Sequence, residues 1–212
     1  MEPITLIGDC HAFRVQLSHH RIGISEIPFM AWGKGGLKAW TFEPELRMGP
    51  NWLDEEGKEY SQVKDEGVVI IWLGYNDIKA ALPAHKDAYV TAEKLVATVK
   101  SNFKNSKIII VEPLMQFKEC IMAFPGELDY FTFEERLEQN ELFITHLRYL
   151  CNINNFNYLD QNHIANAIGT TELDLSLTED ISHPSDGLKN HYYDKIYGLF
   201  VNEALKLQKS ID

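Results

Sequence analysis

Ile4-Thr5-Leu6-Ile7-Gly8-Asp9-Cys10-His11 opens the chain with a short apolar, β-forming run that halts at a glycine and passes to Asp-Cys-His. A strand that stops at Gly and hands over to a small side chain at the start of a helix sets one reactive atom at the carboxyl edge of a sheet. Open α/β folds build their sites there. The same placement puts Cys10 among the free N–H groups of a helix N-terminus, which favour an anion. Taken alone, the stretch favours a plainer reading, a buried cysteine at a strand end, since free Cys is among the most buried residue types.

Working outward, the alternation of strand and helix repeats. Residues 27–32 read as a second strand ending in Gly33-Lys34-Gly35-Gly36, a tight turn or a close backbone approach. Residues 41–65, with Pro44, Gly49-Pro50 and Gly57, read as a surface excursion of loops. Gly67-Val68-Val69-Ile70-Ile71-Trp72-Leu73-Gly74 is continuous and β-branched, as a central parallel strand buried on both faces should be. Between 86 and 103 the residues Ala88, Ala92, Leu95, Val96, Val99 and Phe103 recur at helical spacing. Residues 107–111 form another strand pattern, and Thr132-x-x-Glu135 is a capping box opening a helix to about 150. Residues 156–160 read as a fifth strand and 161–188 mostly as loop. A helix over 189–209 closes the chain, with Tyr193, Ile196, Tyr197, Phe200, Ala204 and Leu207 on one stripe. Strands alternating with helices predict a parallel sheet covered on both faces, in a single domain over 1–212.

Composition bounds the partners. The 212 residues are 45% hydrophobic and 24% charged, as in an ordinary soluble globule. A formal net charge of −11 disfavours nucleic acid or an anionic membrane as the main partner. No stretch reaches the ~20 apolar residues of a spanning helix, and the N-terminus lacks the basic-then-apolar order of a signal peptide. The cysteines Cys10, Cys120 and Cys151 make neither a disulfide framework nor a zinc pattern. The expected setting is cytoplasmic, with reduced thiols and no metal.

The predicted strand ends carry Gly8-Asp9-Cys10, then Lys34-Gly35-Gly36, then Gly74-Tyr75-Asn76-Asp77; Asp180-Ile181-Ser182-His183 precedes the last helix. Singly, an Asn-Asp after a strand is usually a turn or cap, and an Asp-x-x-His pair is usually a surface pair. Jointly and in this order they supply the parts of an acyl-transfer site. Cys10 is the candidate nucleophile, His183 the base, and Asp180 the carboxylate that orients it. The backbone N–H groups of Cys10 and Gly36 and the side-chain amide of Asn76 are candidate oxyanion donors.

These blocks resemble those of the SGNH (GDSL-type) hydrolases: Gly-Asp-Ser, a Gly after the second strand, Gly-x-Asn-Asp, and Asp-x-x-His near the C-terminus. Here they stand as Gly8-Asp9-Cys10, Gly36 (Gly35 is the weaker match), Gly74-Tyr75-Asn76-Asp77 and Asp180-x-x-His183, spanning most of the chain. The resemblance implies a three-layer α/β/α fold with about five parallel strands, and cofactor-free hydrolysis or transfer of an ester-linked acyl group. The substrate would be a small-molecule or carbohydrate acyl ester. It makes Cys10, Asp180 and His183 the triad, places Cys10, Gly36 and Asn76 at the oxyanion hole, and leaves Asp9, Gly74 and Asp77 as supporting residues.

The departure is Cys10, where the family has Ser. A thiolate is the better nucleophile at neutral pH, but sulfur is larger and is also a good leaving group, so the tetrahedral intermediate can collapse backward. Three readings follow: a thiol-based esterase, thioesterase or acyltransferase; an attenuated protein whose pocket binds an acylated ligand or serves a larger assembly; and a serine enzyme into which Cys10 was introduced. Other residues take plainer readings. His11 is expected to be satisfied locally in the first turn, Lys34 and His191 to face solvent, and Cys120 and Cys151 to be inert. His19-His20 lacks a ligand set for metal. Phe124, Tyr130, Phe131 and Phe133 suit core packing or a lid. Trp32, Trp40 and Trp52 suit either packing or a substrate face.

Overall fold

Of the strands, β1 (Ile4–Gly8) is buried along its whole length, as a strand with neighbours on both sides must be. It pairs in parallel with β2 (Phe29–Gly33) on one side and β3 (Val68–Trp72) on the other. Beyond β3 come β4 (Lys107–Val111) and β5 (Asn157–Leu159), also parallel. The sheet order β2-β1-β3-β4-β5 is the flavodoxin-like doubly wound arrangement. The strand order reverses between β1 and β3, and a crevice at such a point is where open α/β sheets take ligands. The computed structural model describes residues 1–23, 26–33, 37–42, 46, 63–74, 76–77, 87–114, 132–170 and 188–210.

Register fixes what meets at that crevice. Gly8 pairs with Gly33 and with Trp72, so β1, β2 and β3 end level and the residues after them share one edge. Side chains alternate across the sheet. Leu6, Ile70 and Ile109 pack on one face with α1 (Cys10–Ile22) and two helices later in the chain, α4 (Gln161–Ile168) and α5 (Asn190–Lys209). Ile7, Ile71 and Ile110 pack on the other with α2 (Ala88–Asn102) and α3 (Phe133–Ile153). The result is the expected three-layer α/β/α sandwich with a five-stranded parallel sheet.

Local chemistry accounts for the helices. The stripe of α2 that recurs at helical spacing is buried at every position from Ala88 to Val99, and Phe103 joins it just past the helix end. Thr132 and Glu135 close the capping box at the start of α3 from both directions, at 3.2 and 2.6 Å. In α5, Tyr193, Ile196, Tyr197, Phe200 and Ala204 are all buried.

In the 161–188 stretch, expected to be mostly loop, α4 occupies the first eight residues. Asp160 caps it by accepting from the His163 N–H at 3.1 Å, and Gly169 ends it with φ 84°. Two turns with Asn and His among their residues carry little helical propensity, so burial of Ile164, Ala165 and Ile168 holds the segment in place. Among the described residues, no helix is long and apolar enough to cross a membrane.

Candidate active site

Cys10 is the first residue of α1 and is half-buried. The strand can pass straight into this helix because residue 8 has no side chain. A Cβ there would stand 2.7 Å from the Trp72 carbonyl oxygen and 2.9 Å from the Ala12 Cβ. Asp9 then caps the helix: its Oδ1 accepts from the His11 backbone N–H at 2.9 Å, and the side chain is buried.

The other Asp9 oxygen reaches across the crevice. Asn76 follows β3 and donates from Nδ2 to Asp9 Oδ2 at 3.1 Å and to the Leu37 carbonyl at 3.2 Å. Both partners are acceptors, so the amide orientation is fixed by its bonds, and both of its hydrogens are committed in this state. The loop reaches this position through Gly74, at φ 121°, where a Cβ would also strike the Phe143 ring at 2.9 Å. Asp77 is 1% exposed and accepts from the Ala39 N–H at 2.7 Å and the Trp40 N–H at 3.2 Å. Burial pushes its carboxyl up to about 6, against the opposing pull of those two donors and of Lys38. Asn76 and Asp77 together therefore clamp residues 37–40, the described segment after β2, against the end of β3.

His11 differs from its expected local role. Its Nδ1 lies 2.6 Å from the Tyr193 hydroxyl of α5, far along the chain, and its ring packs 5.3 Å from that of Trp72. Tyr193 also receives the Leu188 N–H at 3.2 Å, and burial holds its phenol protonated well above the ordinary range. Sequence reasoning placed Tyr193 only on a core stripe; nothing in its local pattern marks the hydroxyl. Leu37 was likewise unmarked, because its contribution is a backbone carbonyl.

The remaining side chains sort by burial. Trp32 is buried in the α2–α3 face of the core and Trp40 is half-buried. Cys151 is buried in the same face, with its thiol pushed up to about 12 by burial. His191 is exposed. His19 meets the Tyr197 hydroxyl at 3.0 Å, and burial, aided by His20, lowers its pKa. Asp9, Cys10 and His11 each offer one possible metal-ligand atom, all within 4.8 Å of one another. Both Asp9 oxygens and His11 Nδ1 take part in hydrogen bonds within the protein. Gly36, with Lys34 and Gly35, lies outside the described residues, as do Asp180, His183, Cys120, Trp52, Phe124, Tyr130 and Phe131. Phe133 begins α3, and its side chain is likewise outside them.

No protein-family profile matches the chain, and no curated protein matches its sequence. Solved structures do match. A GDSL-like lipase from Bacteroides thetaiotaomicron superposes with a TM-score of 0.65 at 13% identity, over 97% of this chain and 88% of its own. An acetyl xylan esterase gives 0.60 at 18% identity, over 95% and 98%. A member of the lipolytic G-D-S-L family from Veillonella parvula gives 0.54 at 16%, over 99% of each. At these identities the likeness is one of architecture: the chain has the SGNH, or GDSL-type, fold.

Proposed function

We propose that the chain is an acyl-ester hydrolase or acyltransferase with Cys10 as nucleophile, His183 as general base and Asp180 as the carboxylate that orients it. One observation carries the reading. Cys10 opens a helix at the crevice between β1 and β3, and the residue before it is hydrogen-bonded to Asn76 from the facing strand end. The order of the four blocks supports it, as do the activities of the structural neighbours, a lipase and an acetyl xylan esterase. Chain length supports the role of His183 as well. Leu188 bonds the tyrosine that touches His11, and His183 stands five residues earlier in the sequence, a span of at most about 18 Å.

In this mechanism His183 takes the Cys10 proton as sulfur attacks the ester carbonyl. The N–H groups of Cys10 and Gly36 and the Asn76 amide receive the oxyanion. The C–O bond then breaks, the alkoxide leaves with the proton from His183, and a thioester remains on Cys10. Water, or an acceptor alcohol in the transferase case, gives its proton to His183, attacks the thioester and returns the thiol.

A second reading, ligand binding without turnover, has one specific observation in its favour. Both Asn76 amide hydrogens are committed to Asp9 and Leu37, so stabilising an oxyanion requires one bond to be exchanged. The test is release of p-nitrophenol from short-chain p-nitrophenyl esters by the parent chain and by Cys10→Ala, Cys10→Ser and His183→Ala. The mechanism expects Cys10→Ala and His183→Ala each to lose about a thousandfold or more. Activity surviving Cys10→Ala unchanged overturns it, and a parent chain inert to esters and thioesters leaves the binding reading.

A further inference from the structure

We propose that His11 and Tyr193 form a positioning pair that holds Cys10 in register with Leu188 and the first turn of α5. The proposal rests on the reading of Cys10 as nucleophile and assigns a role to two residues outside the triad and the oxyanion hole.

One bond direction follows from the partner. The Leu188 backbone N–H can only donate, so the Tyr193 oxygen accepts there at 3.2 Å, and the same hydroxyl shares a hydrogen bond of 2.6 Å with His11 Nδ1, whose donor is set by the imidazole tautomer. The three residues are 3%, 0% and 3% exposed for His11, Tyr193 and Leu188, so this relay lies inside the α1–α5 seam. An imidazole and a phenol are costly to bury, and a Leu–Phe pair would fill similar space without polar atoms. What the polar pair adds is direction. Apolar side chains can slide past one another, whereas a bond of this length fixes the first turn of α1 against the first turn of α5.

Cys10 is therefore bracketed. On its N-terminal side, Asp9 joins it to Asn76 and through Asn76 to Leu37. On its C-terminal side, His11 joins it to Tyr193 and through Tyr193 to Leu188, where the chain emerges from the stretch carrying Asp180 and His183. Attack requires reacting atoms within about 3–3.5 Å, and a displacement of 1 Å costs on the order of a hundredfold.

The seam supplies its own control. His19 and Tyr197 make a second imidazole–phenol contact between the same two helices, at 3.0 Å and at the far end of α1 from Cys10. Tyr193→Phe and Tyr197→Phe each remove one hydroxyl, and two readouts compare them: kcat and KM for p-nitrophenyl acetate, and the rate of Cys10 alkylation by iodoacetamide at fixed pH. Tyr193→Phe is expected to lower kcat about ten- to a hundredfold with KM within twofold, and to change the alkylation rate severalfold. Tyr197→Phe is expected to leave both at parental values. His11→Phe breaks the same bond from the other side and should reproduce Tyr193→Phe, with the double variant no worse than either. Equal behaviour of Tyr193→Phe and Tyr197→Phe in both readouts overturns the proposal. If the parent shows no turnover, the functional reading fails on its own account and the alkylation comparison decides the positioning role.

Discussion

Replacing Asp77 by Asn should change how stability depends on pH, and the structure fixes the sign. The buried Asp77 carboxyl is pushed from 3.8 to about 6 in the folded chain. A carboxyl raised in this way binds its proton more readily when folded. Its contribution is therefore most favourable below the unfolded value of 3.8 and is lost as pH rises through about 6. At ~1.4 kcal/mol per pKa unit, roughly two units make this loss about 3 kcal/mol. Asn does not titrate, so the variant lacks this slope. It also presents an N–H where Ala39 or Trp40 needs an acceptor, a pH-independent cost of about 1–3 kcal/mol. Urea unfolding of both proteins at pH 4, 5, 6 and 7 measures the difference. Asp65 and Asp160, whose hydrogen bonds hold them below the usual carboxylate range, lose their contributions as pH falls, but they do so in both proteins and cancel. The parent's advantage over Asp77→Asn should shrink by about 2 kcal/mol between pH 4 and 7, most of the full loss. A flat difference, or one that grows with pH, would refute the claim that burial outweighs the two backbone donors.

Other perturbations probe the same neighbourhood. Gly8→Ala sets a Cβ 2.7 Å from a backbone oxygen and 2.9 Å from Ala12, and should cost about 1–3 kcal/mol, seen as a Tm lower by roughly 5 °C. An unchanged Tm would mean that β1 and α1 shift apart freely. Asn76→Ala should lower kcat/KM for p-nitrophenyl acetate about 100- to 1,000-fold. A smaller loss would mean that the amide serves only Asp9 and Leu37. Iodoacetamide followed by peptide mass analysis should label half-buried Cys10 well before Cys151, which is 1% exposed with its thiol pushed up to about 12. Equal labelling in the folded state would contradict that burial.

What was legible in the sequence follows from the range of each interaction. Strands β1, β3 and β4 show as continuous β-branched runs because a central parallel strand is apolar on both faces, and this requirement acts residue by residue. The capping box at Thr132 and the buried stripe of α2 are local in the same way. Helix α4 leaves little trace in the sequence because its stability comes from burying Ile164, Ala165 and Ile168, while its cap signals, Asp160 and Gly169, also suit a plain turn. At the site, Gly8, Asp9, Asn76 and Asp77 were legible as a set of strand ends. The His11–Tyr193 bond was not, since its partners are 182 positions apart and each alone suits an ordinary role, a first-turn residue and a core aromatic. Hydroxyl partners across a sequence gap leave no periodic trace.

The bonds on either side of residue 10 define a frame for the proposed site. Asp9 offers one oxygen to the His11 N–H and the other to the Asn76 amide, so both its contacts need an acceptor. Asn at position 9 would turn an N–H toward one of those donors, and Glu would move the carboxylate away from the cap. A carboxyl group of Asp length reaches the helix start and the crevice together. The frame therefore depends on residues 9 and 11 and on their partners at 37, 76, 188 and 193, and Ser is close to Cys in shape. Exchanging sulfur for oxygen at residue 10 should leave that frame standing. Any change in rate between the parent and Cys10→Ser then measures the chemistry of the nucleophile: thiolate reactivity in attack set against return of the intermediate by loss of sulfur.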